Sequence, residues 1–127
     1  MKKGFTLLEL IVVIIIIGIL GSLGFTQYAR VVEKGRVAEA KILLGQARSA
    51  QESYKLEAGV YATAIVDLAI EIPTVCTVTH YFKYSTDATA GSATRCSASG
   101  KTPNVSTTYT VTLGHVSGAW GGSAGYY

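Results

Sequence analysis

The sequence has little of what most enzymes work with. Only two histidines occur, His80 and His115, and neither stands in a catalytic or metal-binding pattern, so each reads as a strand residue rather than a base or ligand. No Asp or Glu follows Asp87, which leaves the C-terminal part without the carboxylates that a hard cation such as calcium prefers. No catalytic residue, metal or cofactor is expected, and the chain does not read as an enzyme. The formal net charge is +3, and two of the positive charges are Lys2 and Lys3. A chain that lost both would carry only +1, a poor electrostatic footprint for nucleic acid, so no specific nucleic-acid partner is expected. Cysteine is confined to Cys76 and Cys96, a single possible pair.

Charge is also missing locally. Nothing between residues 10 and 26 is charged, and with the apolar residues 5–8 ahead and Tyr28 behind, the run reaches the roughly 20 residues a helix needs to cross a bilayer. At 127 residues the chain has room for one small domain, and a helix this apolar would need a far larger one to bury it on all sides. A cleaved secretory signal fits less well: its apolar core is usually shorter and ends in a break, whereas here the helical pattern runs on past Ala29. Lys2 and Lys3 hold the N-terminus in the cytoplasm and send the rest outward. In that exported part, oxidising conditions favour a Cys76–Cys96 disulfide over two separate buried thiols. Closing a loop of about 20 residues, it would contribute roughly 3 kcal/mol in the chain-entropy model.

One acid, Glu9, stands in the apolar run. A carboxylate inside a membrane span costs about 2.5 to 3.5 kcal/mol on insertion scales, so it needs a partner. Cleavage after Gly4 would supply one by freeing a cationic amine on Phe5, four residues or one helical turn before Glu9. The same amine could meet Glu9 of a neighbouring chain. A pair made across subunits would set their axial register, because removing either member strands a charge. The other reading is that Glu9 snorkels to the inner interface without a role in assembly.

The opening Lys2-Lys3-Gly4-Phe5-Thr6-Leu7-Leu8-Glu9, followed by an apolar helix, resembles the class III signal of type IV pilins and of the pseudopilins of type II secretion. The resemblance is close over residues 1–25, looser to about residue 61, and only architectural beyond. It implies that a prepilin peptidase cuts between Gly4 and Phe5, that Phe5 is N-methylated, and that Glu9 is the assembly acid. It further implies a homo-oligomeric helical filament, raised by the pilus assembly machinery from a single-pass precursor in the bacterial inner membrane and ending as an extracellular pilus for adhesion, motility or DNA uptake. The alternatives are a pseudopilin of type II secretion, or a minor tip pilin that binds DNA or a surface. Major pseudopilins hold calcium in a C-terminal loop, so the missing carboxylates favour the pilus. Many members carry proline about 21 residues after the mature N-terminus, where this chain has Thr26. Gly18, Gly21 and Gly24 nearby either lower the cost of local helix melting or let backbones pack closely.

The expected organisation is a leader at 1–4, a transmembrane and polymerisation helix at 5–28, its continuation at 29–58 and a globular domain at 59–127. The helix should end at Ala58, with Gly59 at the left-handed cap position. Leu43, Ala47, Ala50 and Tyr54 mark the face that packs on the domain. Lys34, Lys41, Arg48 and Lys55 recur at seven-residue intervals opposite it and are expected to face solvent. Gly59-Val60-Tyr61 resembles the Gly-x-Tyr-Pro turn after the pilin stem helix, with Ala62 in place of the proline. Alternation predicts strands at 80–85, with Phe82 and Tyr84 inward, and at 108–115, where Tyr109, Val111 and Leu113 share a face. Shorter strands are expected at 93–97 and 119–120. Residues 85–107, rich in Ser, Thr, Ala and Gly, should form exposed loops, and the tail at 121–127 should be mobile. Asn104-Val105-Ser106 matches a glycosylation sequon, a short pattern of high chance rate. The fold class is α+β and pilin-like: a long N-terminal helix, its first half membrane-spanning and its second half packed on a small antiparallel sheet of three to four strands.

Overall fold

The computed structural model describes residues 4–97 and 109–126. Helix α1 (Leu7–Ala58) leads into a 3-10 turn (Ile65–Asp67) and four strands, β1 (Phe82–Thr86), β2 (Ala90–Arg95), β3 (Thr110–Gly114) and β4 (Trp120–Gly122). The strands pair antiparallel in chain order, β1-β2-β3-β4, so the architecture is α+β, with a long helix followed by a meander sheet. The chain divides into two compact units, Met1–Glu33 and Lys34–Tyr127, and α1 contributes to both.

In the first unit every described residue from Gly4 through Phe25 is exposed. A helix apolar on all sides with nothing packed against it finds its solvent in hydrocarbon or in other helices. The helix is continuous through Gly18, Gly21 and Gly24, and a Cβ on any of the three would meet nothing within 4 Å.

In the second unit Val37, Ala40, Leu44, Ala47 and Gln51 are buried, a three-and-four spacing that lays one stripe of α1 against the domain. The expected face was displaced: Ala47 lies in the stripe, but Leu43, Ala50 and Tyr54 are only half-buried at its flank. The reason is Gln51, a polar residue that hydrophobic patterning passes over. Its Nε2 donates to the Ala62 carbonyl at 2.9 Å and its Oε1 accepts the Ala62 N–H at 2.8 Å, so one side chain satisfies both backbone groups of a buried residue. At the helix end Gly59, with φ of 78°, donates its N–H to the Lys55 carbonyl at 2.8 Å. That left-handed conformation reverses the chain and delivers Ala62 to Gln51.

Phe82 and Tyr84 of β1, Ala93 of β2, and Val111 and Leu113 of β3 point to the same core as the helix stripe, and Ile65 and Ile72 close it from the connection. Tyr84, Ala93 and Val111 are successive cross-strand partners, a large, small, large layer. The Tyr84 hydroxyl is buried without a hydrogen-bond partner among the described residues, and its burial, together with the nearby Glu39 carboxylate, pushes its ionisation well above the usual phenol range. Cys76 and Cys96 form a disulfide, Cα to Cα 5.8 Å, that ties the connection to the end of β2.

Four expectations are corrected here. First, the loop expected from residue 85 is confined in this stretch to the exposed turn at 87–89: β1 runs to Thr86, and β2 begins at Ala90, ahead of the strand expected at 93–97, with Gly91, Ala93 and Arg95 buried. The small residues there reflect close packing, because a Cβ on Gly91 would lie 3.1 Å from Leu44 Cδ2. The sequon and the rest of that stretch, residues 98–107, fall outside the described residues. Second, the tail is built in. Gly121 and Gly122 belong to β4, the Ser123 N–H donates to the Thr110 carbonyl at 2.9 Å, and the buried Tyr126 ring stacks on Tyr109 at 4.3 Å.

Third, of the cations at seven-residue intervals, Lys34, Lys41 and Lys55 are exposed as expected, but Arg48 is half-buried against the domain. Arg48 Nε donates to the His115 carbonyl at 2.9 Å, Lys41 Nζ lies 5.5 Å from the Trp120 ring centroid, and Lys55 Nζ lies 4.4 Å from that of Tyr61. Among the four, Lys34 alone has no such contact among the described residues. Fourth, neither histidine is in a strand. His80 precedes β1 with Nδ1 3.6 Å from Glu39, while His115 follows β3, where it is buried. His115 holds the β1–β2 turn: its N–H donates to the Thr89 carbonyl at 2.9 Å, and its Nε2 lies 3.0 Å from the Asp87 carbonyl and 3.1 Å from Thr86 Oγ1.

Candidate processing and assembly site

Gly4, Phe5 and Thr6 precede the helix with no regular structure, and α1 begins at Leu7. The peptide bond between Gly4 and Phe5 therefore lies on open backbone, and the Phe5 side chain is 87 % exposed. A peptidase needs such a segment, because a peptide bond inside a helix must be unwound before it can be cut. Glycine ahead of the bond leaves no side chain in the way.

Thr6 and Glu9 organise the start of the helix. The Thr6 N–H and Oγ1 both donate to Glu9 Oε2, at 2.9 and 2.8 Å, and the Glu9 N–H donates back to Thr6 Oγ1 at 3.3 Å. This is a capping box, with threonine at the cap and glutamate three residues on, and it satisfies two of the backbone N–H groups that every helix start leaves open. Thr6 was not among the residues singled out from the sequence, although Thr-x-x-Glu before an apolar run is itself a signature of a helix start.

The box bears on the pairing expected for Glu9. With the leader attached no amine exists at Phe5, and Phe5 is not one helical turn below Glu9 because the helix has not begun there. The carboxylate is occupied by Thr6 instead. One oxygen, Oε2, takes both Thr6 bonds, so Oε1 keeps its lone pairs for a further donor.

Beyond Glu9 the helix is long and apolar enough to cross a membrane. Among the described residues no group of three or more His, Cys, Asp or Glu comes together as a metal site.

Comparison with known families matches residues 1–25 to the prokaryotic N-terminal methylation motif. Comparison with curated proteins gives no match. From residue 4 on, the matched residues are those whose geometry is described above: the open peptide bond, the capped carboxylate and the apolar helix. The chain thus carries, over residues 1–25, the class III signal peptide of type IV pilin-like proteins.

Proposed function

We propose that this protein is a structural subunit of a type IV pilus, processed at its N-terminus and polymerised through α1. Prepilin peptidase cuts between Gly4 and Phe5, the new Phe5 amine is methylated, and Glu9 receives the amine of a neighbouring subunit as chains are stacked. The observation that carries this reading is the pairing of a wholly exposed apolar helix with a single carboxylate at its start, inside a matched methylation motif. Hydrophobic contact alone has no register. A buried charge pair supplies one, because a misplaced subunit leaves Glu9 desolvated and unpaired.

Capping by Thr6 keeps Glu9 partly satisfied while the precursor waits in the inner membrane, which is where the motif and the apolar helix fit it best. The alternative of a secretion pseudopilin is less well supported, since no carboxylate follows Asp87 to serve a C-terminal calcium loop.

The test is intact mass after co-expression with a prepilin peptidase, followed by filament counts in an assembling host. Loss of residues 1–4 and gain of one methyl group is expected, with filaments abolished by Glu9→Val while the processed subunit persists. An uncut mass overturns the reading, and so do normal filaments from the Glu9→Val chain.

A further inference from the structure

A cleft of about 450 Å³ lies between the outer side of α1 and the β4 edge of the sheet, lined by Gly45, Arg48, Ser49, Glu52, Leu113, Gly118 and Trp120. We propose that it is a carbohydrate-binding site, taking the flat face of a neutral pyranose ring against Trp120. This goes beyond the filament reading and does not depend on it.

The lining selects the ligand class. Trp120 pairs across the sheet with the buried Leu113, so its ring continues the inner face of the sheet past the last core residue, and it remains 40 % exposed. An indole in that position offers an apolar plane, which the axial C–H face of a sugar matches. Arg48 is held in place: Nε donates to the His115 carbonyl, and the guanidinium lies against Gly118, where a Cβ would sit 3.4 Å from both Cζ and Nη2. Its Nη1 and Nη2 make no hydrogen bond among the described residues, so a fixed fork of donors faces the cleft. Glu52 Oε1 accepts from the Tyr61 hydroxyl at 3.1 Å, which leaves Oε2 as an acceptor.

Donor fork, acceptor and aromatic plane together exclude simpler ligands. An anion would meet Glu52, a cation would meet Arg48, and an apolar group would strand the guanidinium edge. A ring of hydroxyls, each both donor and acceptor, satisfies all of them. Gly45 lines the cleft from the interior of α1, where glycine weakens a helix, and a Cβ there would meet nothing within 4 Å.

The chain has one tryptophan, so its emission reports Trp120 alone. The full chain, in zwitterionic micelles free of sugar headgroups, is titrated with methyl pyranosides of glucose, galactose, mannose and N-acetylglucosamine. A saturable change in emission with at least one pyranoside is expected, with glycerol inert because it has hydroxyls but no ring face. Gly45→Leu, which fills the cleft, and Glu52→Gln should each weaken binding at least roughly tenfold with the circular dichroism spectrum unchanged. The proposal is overturned if no pyranoside saturates, if glycerol acts alike, or if Gly45→Leu binds as before. Saturation by inorganic phosphate in place of sugars would assign an anion site instead. An emission change that follows protein concentration alone would assign the cleft to a second copy of the chain.

Discussion

The two ends of α1 solve the burial problem in opposite ways. From Leu7 to Phe25 the helix is apolar all round and every described side chain is exposed; from Val37 to Gln51 it is amphipathic, and one stripe is buried by the chain's own sheet. The second stretch brings its partner with it, and the first must find lipid or other chains. Folding thereby rests on the second stretch and, in the proposed function, assembly on the first, and substitutions should separate them.

The sharpest separation comes from matched truncations. Leu44→Ala should lower the unfolding free energy by about 2 to 5 kcal/mol, since it empties a fully packed site, whereas Ile15→Ala should leave it within about 0.5 kcal/mol in micelles. Denaturant titrations followed by Trp120 emission measure both, and equal effects would break the comparison. Reducing the Cys76–Cys96 disulfide should cost roughly 3 kcal/mol in the same assay and leave membrane insertion intact. Gln51→Leu should cost about 1 to 3 kcal/mol, because it leaves the N–H and carbonyl of Ala62 buried and unpaired.

The smallest effect concerns acid. The Thr89 hydroxyl, then the N–H groups of Thr89 and Ala90, hold the Asp87 carboxyl below its ordinary value. Its folded pKa lies below its unfolded one, so the stabilisation is complete above the ordinary carboxylate range and disappears as pH falls through the folded value. Asp87→Asn should therefore flatten the acid limb of a stability-against-pH curve, with Ile15→Ala parallel to the parent chain throughout.

Much of this was legible because it rests on long or strict patterns. The apolar helix, its end at Ala58, and the alternation that turns Phe82, Tyr84, Val111 and Leu113 inward all follow from periodicity and one well-placed glycine. The rest depended on proximity, which periodicity does not carry. Gly91 looked like loop because it is small, yet it is small because Leu44 of α1 passes close above it. Gln51 looked like surface because it is polar, and only the return of Ala62 gives it a buried partner. Arg48 looked solvated until a carbonyl came within reach, while Lys41 and Lys55 stay exposed beside aromatic rings. At the N-terminus the acid was conspicuous and its intrachain partner Thr6 was not, since a threonine beside an apolar run attracts no notice on hydropathy.

The outer edge of β1 is already engaged, for the Tyr84 N–H donates to the Pro73 carbonyl at 2.8 Å, and β4 at the opposite edge has only three residues. Neither border gives a neighbouring chain much main chain to pair with. The polymers of the proposed function would then draw little on cross-β contacts and should fall apart in mild detergent, leaving each sheet folded and ready to be used again.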